Sequence, residues 1–267
     1  MMDKIKKALT ITSISIGNSF IYRAAFFTRL LTLLITLSFQ FFFWREAFVG
    51  KSEIANYSFN SFFAYLILAN LVYEFMQPNN VMVSTQILEG ELNHFLLLPY
   101  RFMSFIFWKL VGDRIAFLIT TLIPLVVGLF AIKIFSSINL GLSFLGLAFL
   151  VFFVVGGLAL HFLIDFGIGL LAFWFNRCEF VFIVKEISLR ILAGLWFPFA
   201  ILPNFLEKVF SLLPFQFLGY VPSQSLLSPE IMTWKAPLLL IFWIFALYFL
   251  NILIWKLGIK RYEAFSG

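Results

Sequence analysis

The sequence predicts an all-α polytopic membrane protein with six transmembrane helices and both termini in the cytoplasm. Three observations predict it. The 267 residues are 62% hydrophobic and 12% charged, with a mean hydropathy of +1.01, whereas a soluble domain is about 45–50% apolar and about 25% charged. A water-soluble fold could not hide so much apolar surface, so lipid must be part of the solvent. Six runs approach the ~20 mainly apolar residues that a helix needs to cross a bilayer, and Lys and Arg fall unevenly between the connections.

The first span is expected at 24–44. Lys4, Lys6 and Lys7 precede it, with a mixed stretch to Arg23. No apolar core with a small-residue cleavage site follows at signal-peptide spacing. The segment before the span therefore reads as an N-terminal interfacial helix, and the span as a retained anchor. The second span is 59–83 and the third 104–132. The fourth, 140–175, is too long for one straight crossing. It is either a tilted helix bent at Gly156 and Gly157 or a full span with an interfacial turn. These glycines, with Gly167 and Gly169, allow close helix approach or a kink. The fifth, 184–202, is short and stops at Pro198 and Pro203. The run "NFLEKVFSLLPFQFLGYVPSQSLLSP" after it is expected to lie at, or dip into, the interface. The sixth span is 236–255.

Six spans put both termini on one side. Of the 19 Lys and Arg, only Arg45, Lys51, Lys133, Lys208 and Lys235 fall on the opposite side. By the positive-inside rule the richer side is cytoplasmic. The formal charge of +6 reads as this bias plus contact with anionic lipid. Nucleic acid is not an expected partner, because the basic residues are split among separate loops. The lone Cys178 excludes an intrachain disulfide and leaves the redox compartment open. There is no internal repeat and no soluble domain. "GKS" at 50–52 is not a phosphate-binding loop, because such a loop needs Gly five residues earlier and that position is Arg45.

A short polar stretch, "STQILEGELNHFLLLPYRF", interrupts the apolar sequence between spans two and three. Read as one helix, it puts Leu88, Leu92, Phe95 and Leu96 on one face. Gln86, Glu89, Gly90 and Asn93 face away, with Glu91 and His94 on the flanks, and Pro99 ends it. Such a helix either seats a loop at the interface or offers its polar face to a cytosolic partner.

"ILEGELNHFLLLP" resembles the cytoplasmic motif of ABC-2-type transporter permeases, an Ile-x-x-Gly-x-Leu-x-x-x-Leu-x-x-Pro pattern. Here Ile87, Gly90, Leu92, Leu96 and Pro99 occupy it. "IYRAAFFTRLL" resembles that family's entry to the first span. "LRILAGLWFPFAILPNFLEKVFSLLPF" resembles its fifth span, and "IKRYEAFSG" its terminal Arg-Tyr-Glu-x-x-Gly-Gly, with Ser266 replacing one Gly. The resemblance covers the whole chain and implies a single transmembrane domain over 1–267. It implies a permease subunit that pairs with a second permease, homo- or heterodimeric, in the inner (plasma) membrane. A separate cytosolic ABC ATPase would bind ATP and Mg, so no cofactor is expected in this chain. The polar stretch would then be the ATPase-coupling helix, with Gln86, Ile87, Glu89, Gly90, Glu91, Leu92, Asn93 and Pro99 as its residues. Alternating access between two such subunits would export an amphipathic cargo: a lipid, a drug-like molecule, a peptide or a glycoconjugate.

An ionisable group inside a span is a functional hypothesis by default. Glu74 lies in the second span and is expected to pair with a basic residue or face a wet cavity. His161 and Asp165 share a helix face at i, i+4. They could form a proton relay, part of a metal site or a substrate path, but the favoured reading is a hydrogen-bonded pair between helices near the cytoplasmic end of span four. Asp165 is expected to be nearer water than Glu74, so that loss of Glu74 disturbs transport more. Asp113-Arg114 reads as a salt bridge at the cytoplasmic end of span three. Two rival functions remain. A membrane-embedded lipid-modifying enzyme would need converging acid, base or metal groups, and a proton-coupled secondary transporter would be expected to show internal repeats. The charge bias makes a direct test: a reporter fused after Gly267 is expected in the cytoplasm and one inserted within 50–57 outside. Finding both on one side would refute the six-span orientation.

Overall fold

The computed structural model describes residues 2–21, 23–78, 82–97, 100–122, 143–176, 179–228 and 233–262. Among these it is an all-α structure with four helices long and apolar enough to cross a membrane. Helix α1 is Met2–Ile21, α2 Arg23–Ala47 and α3 Phe59–Met76. Two short helices follow, α4 Met82–Leu88 and α5 Leu92–Leu97. Next come α6 Phe102–Phe117, prolonged by a π turn at Leu118–Leu122, and α7 Phe144–Leu170, closed by a 3-10 turn at Leu171–Phe173. The last helices are α8 Glu179–Leu192, α9 Asn204–Phe210, α10 Tyr220–Leu227 and α11 Lys235–Gly258.

The sequence expected an interfacial first helix, and α1 is tied along α6. Its buried stripe is Ala8, Thr12 and Ser15, the i, i+4, i+7 spacing of one helix face. Thr12 Oγ1 donates to Trp108 O at 3.2 Å, and Ser15 Oγ lies 2.6 Å from Asp113 Oδ1. Gly112 makes this approach possible, because a Cβ there would fall 2.5 Å from the Thr12 carbonyl oxygen. The other side of α1 leaves Leu9 and Ile14 exposed, groups that a bilayer surface would cover.

Helix α3 is the central span, with 56% of its apolar window buried against 11% for α11. Ser58 caps it by accepting from Ser61 N. Helix α7 is one continuous helix. At 1.5 Å per residue its 27 residues reach about 40 Å, beyond the ~30 Å hydrocarbon layer. Within the fourth expected span, α7 thus runs unbroken past Gly156 and Gly157 to its closing 3-10 turn. Its glycines serve close packing: an added Cβ would meet Leu240 of α11 at Gly156, and Met76 and the Phe217 carbonyl at Gly157. Asn251 would meet one at Gly167, and it donates to Leu163 O at 2.8 Å.

The fifth expected span differs most from its reading. Helix α8 has 14 residues, about 21 Å, too short to cross alone. It ends at Gly194, whose φ of +75° suits a residue without a side chain. The chain then turns through Phe199–Ile201, α9 and Pro214–Leu218 into α10. This run does not simply lie at an interface. Leu195, Phe199, Phe217, Leu218 and Ser225 are fully buried, and α10 packs against α3 and α7. Buried irregular backbone must have its polar groups satisfied, and here the neighbours do so. Tyr65 Oη donates to Gly194 O at 2.6 Å, and Gln40 Nε2 and Asn70 Nδ2 donate to Leu195 O at 3.0 and 3.2 Å. Trp44 Nε1 donates to Trp196 O at 2.9 Å, and Tyr220 N to Ala193 O at 2.9 Å.

Helix α6 with its π turn covers 102–122, and the remainder of the third expected span lies outside the described residues, as does the end of the terminal motif at 263–267. Removing one carbonyl donor should register directly. Tyr65→Phe leaves the Gly194 carbonyl buried without its donor and is expected to lower stability by about 1–3 kcal/mol, read from thermal unfolding in detergent. An unchanged midpoint would mean that this bond contributes nothing.

Candidate functional site

Two places gather the candidate residues: the segment 82–97 and a polar cluster inside the bundle. The segment is not one helix. Helix α4 ends at Leu88, Glu89 N donates to Thr85 O at 2.8 Å, and Gly90 turns the chain with φ +77° before α5 begins at Leu92. Glycine in the left-handed conformation is a common way to stop a helix. The break overturns the single-helix register. Leu88 and Leu96, read as sharing a face with Leu92, are 39% and 48% exposed, while Gln86, read on the opposite face, is 7% exposed. Ile87 and Leu92 are buried, Asn93 is half-buried, and Glu89, Glu91 and His94 are exposed. Pro99 lies outside the described residues.

The segment is nonetheless seated firmly. Val83 and Ser84 fit over Gly169 near the end of α7, where a Cβ would fall 2.6 Å from Val83 Cβ. Leu92 is fully buried in a cluster with Phe102, Ile106, Phe166 and Leu170, and the Phe95 ring packs on Phe102 and Phe105 at 5.1 and 4.8 Å. A knob remains outside: Leu88, Glu89, Glu91, His94, Leu96 and Leu97, the last 84% exposed. It combines acids with apolar groups that remain exposed among the described residues.

The polar cluster joins α3, α7 and α8. Asp165 is 5% exposed, so it is not the water-reached group that the sequence suggested. Its Oδ1 lies 2.8 Å from Lys185 Nζ and 3.9 Å from His161 Nε2. The short contact is therefore with α8 rather than with His161. Lys185 Nζ is also 3.5 Å from Glu186 Oε2, and Arg190 Nη2 is 4.0 Å from Glu186 Oε1. Tyr73 Oη donates to Glu186 Oε1 at 2.9 Å, and its ring lies 5.3 Å from that of His161. His161 is fully buried, and neither ring nitrogen has a hydrogen-bond partner among the described residues. Two carboxylates thus meet two cations on α7 and α8, and the Tyr73 hydroxyl joins them from α3, an arrangement suited to fixing α8. No group of three or more His, Cys, Asp or Glu able to hold a metal occurs among the described residues.

Glu74 does not join this cluster. It is half-buried and has no ion pair within 4.0 Å among the described residues; its carbonyl accepts from Arg114 Nη1 at 3.3 Å. Arg114 is 3% exposed, so it is a buried residue rather than half of an exposed end-of-span bridge. Sequence reading missed Lys185, Glu186 and Tyr73. Their signal was present, because Lys185 and Glu186 sit inside the expected fifth span, where a charge needs a partner.

Residues 34–266 match the model of a family described as ABC-2 family transporter protein. The chain belongs to the ABC-2 transporter family. A search of curated proteins finds no match. The chain is therefore an ABC transporter permease, a multi-pass membrane transport subunit, and its family implies association with an ABC ATPase. Within the permease, removing one partner of a buried ion pair typically costs about 3–5 kcal/mol, whereas replacing both by apolar groups is often neutral. Lys185→Met is accordingly expected to destabilise strongly, and Lys185→Met with Asp165→Leu to recover most of the loss, measured by unfolding in detergent. Equal stability of wild type and Lys185→Met would show that the pair does not hold α8.

Proposed function

We propose that this permease is the membrane half of an ATP-driven exporter in the inner (plasma) membrane, six-spanning with both termini inside, working as a pair with a second permease. A separate cytosolic ATPase binds ATP and Mg and docks on the knob at 88–97. The observation that carries this reading is the exposed mixture of Leu88, Glu89, Glu91, His94, Leu96 and Leu97 on a segment wedged beneath α6 and α7, in a chain whose family match runs over 34–266. A partner that covers the leucines gains apolar burial, and one with basic residues answers the acids. Movement of the knob reaches the bundle through Val83 on Gly169 and Leu92 in its cluster. The same match favours ATP-driven transport over a lipid-modifying enzyme or a proton-coupled transporter.

The cargo reading is an amphipathic molecule: a lipid, drug-like compound, peptide or glycoconjugate. It is supported by the abundance of apolar groups on the described helices and the small number of buried charges. Gly90 serves as the hinge of the knob, because an L side chain there is strained by φ +77° although nothing lies within 4 Å of the added Cβ. Left-handed backbone costs a non-glycine residue about 1–2 kcal/mol.

The docking test uses Glu89→Lys with Glu91→Lys, and Leu97→Glu separately. All three positions are exposed, so membrane insertion and permease pairing should be unchanged. Co-purification of the cognate ATPase and substrate-stimulated hydrolysis are expected to fall to background. Wild-type values for both would leave 82–97 as an interfacial loop only.

A further inference from the structure

We infer that Arg29 and Arg114 form a binding site for a phosphate group where α2, α3 and α6 meet, apart from the knob at 88–97. Arg114 lies on α6 and is 3% exposed. Its Nη1 reaches only a neutral acceptor, the Glu74 carbonyl at 3.3 Å, and its Nε has no partner among the described residues. A guanidinium withdrawn from water normally needs a paired anion, since the desolvation of an ion amounts to several kcal/mol. Here the nearby acids make no ion pair with it within 4.0 Å among the described residues, and a second cation stands close by. The guanidinium carbons of Arg29, on α2, and of Arg114 lie 5.8 and 5.3 Å from the centroid of the same Phe117 ring. Each contact is within cation–π range, but the ring carries no charge to neutralise either.

The nearby acids do not pair directly with Arg114. Glu74 makes no ion pair with either arginine within 4.0 Å among the described residues. Asp113 adjoins Arg114 in sequence, but its carboxylate is taken up on the α1 side, 2.6 Å from Ser15 Oγ, and adjacent residues on a helix do not face each other. Asp113 and Glu74 offset the charge of Arg114 only from a distance, and neither carboxylate forms an ion pair with its guanidinium within 4.0 Å among the described residues.

A further observation falls at the same place. Immediately after Phe117 the helix widens into the π turn Leu118–Leu122, which packs against α2 and α3. Such turns inside helices are frequent at functional sites. Two guanidiniums can present parallel N–H donors to phosphate oxygens, a geometry for which arginine is suited. Arg29 is half-exposed and marks the entrance. Close by in sequence, α2 exposes Leu31 and α6 with its π turn exposes Ile115 and Ile119, apolar groups that an acyl chain would cover. That placement favours an amphiphile's headgroup as the source of the phosphate. With the orientation proposed above the site faces the inner leaflet, though its chemistry does not depend on that.

The test is equilibrium binding of fluorescent phosphatidic acid to the purified permease in micelles, with diacylglycerol of the same chains as the neutral control. No ATPase is present, so failure of the docking proposal would leave this result standing. Phosphatidic acid is expected to bind more tightly than diacylglycerol. Arg29→Gln and Arg114→Gln should each weaken it by about tenfold or more, the loss of a charge-assisted bond, and Arg114→Lys should weaken it less than Arg114→Gln. Glu74→Gln removes a negative charge beside the site and should tighten binding, a gain that misfolding cannot mimic. Displacement by inorganic phosphate only in large excess would assign the site to a lipid headgroup, and displacement at comparable concentration to a free phosphate. Equal binding of phosphatidic acid and diacylglycerol would overturn the inference, as would unchanged affinity in Arg29→Gln, whose half-exposed side chain the fold can spare.

Discussion

Where a helix stops in a protein interior, its last carbonyls have no water to turn to, and each one left bare costs about 1–3 kcal/mol. The arrangement of this permease depends on meeting that constraint at 193–196. Four side chains from α2 and α3 supply the donors: Gln40 and Trp44 from one, Tyr65 and Asn70 from the other. Asn70 Nδ2 also lies 3.1 Å from Gln40 Oε1, so the first two spans are held together by the backbone they serve. Once α8 may end early, the chain can fold Phe199, Phe217 and α10 into the bundle, and α3 becomes the helix around which the others gather.

Helix α7 provides the second support. Its glycines remove side chains where α11, α3 and the segment 82–97 must come close. Without a hydrophobic drive between helices in lipid, association rests on such packing and on polar contacts. Asp165 adds the polar contact to α8, and Tyr73, through Glu186, ties that joint to α3. The region that holds the short helix α8 and the region that seats the knob therefore share one helix, with Asp165 and Gly169 a single turn apart. That helix joins the two regions directly. The arginine pair on α2 and α6 stands apart from this helix, beside exposed apolar residues such as Leu31 and Ile115.

Much of this was legible from residues alone, for one reason: lipid imposes a strong compositional rule. Apolar length marked α2, α3, α7 and α11, and the Gly and Pro positions marked where the fifth run would break. The motif around Gly90 marked the segment that carries the family resemblance. Its register was not legible, because a helical wheel assumes an unbroken helix and cannot see a single left-handed residue. Leu88 and Leu96 were read as sharing a face with Leu92 for that reason. Asp165 was misread because its distance from a span end said nothing about Lys185 arriving from another helix.

The sequence by itself determined that the chain is an all-α membrane protein of the ABC-2 kind, since solvent and periodicity act residue by residue. Only the tertiary structure decided which polar groups meet. Whether Gln40, Asn70, Lys185 or Arg114 has a partner depends on contacts between helices far apart in the chain, as between Gln40 and Leu195. In a medium without water, the presence or absence of that partner separates a structural bond from a site that awaits a ligand.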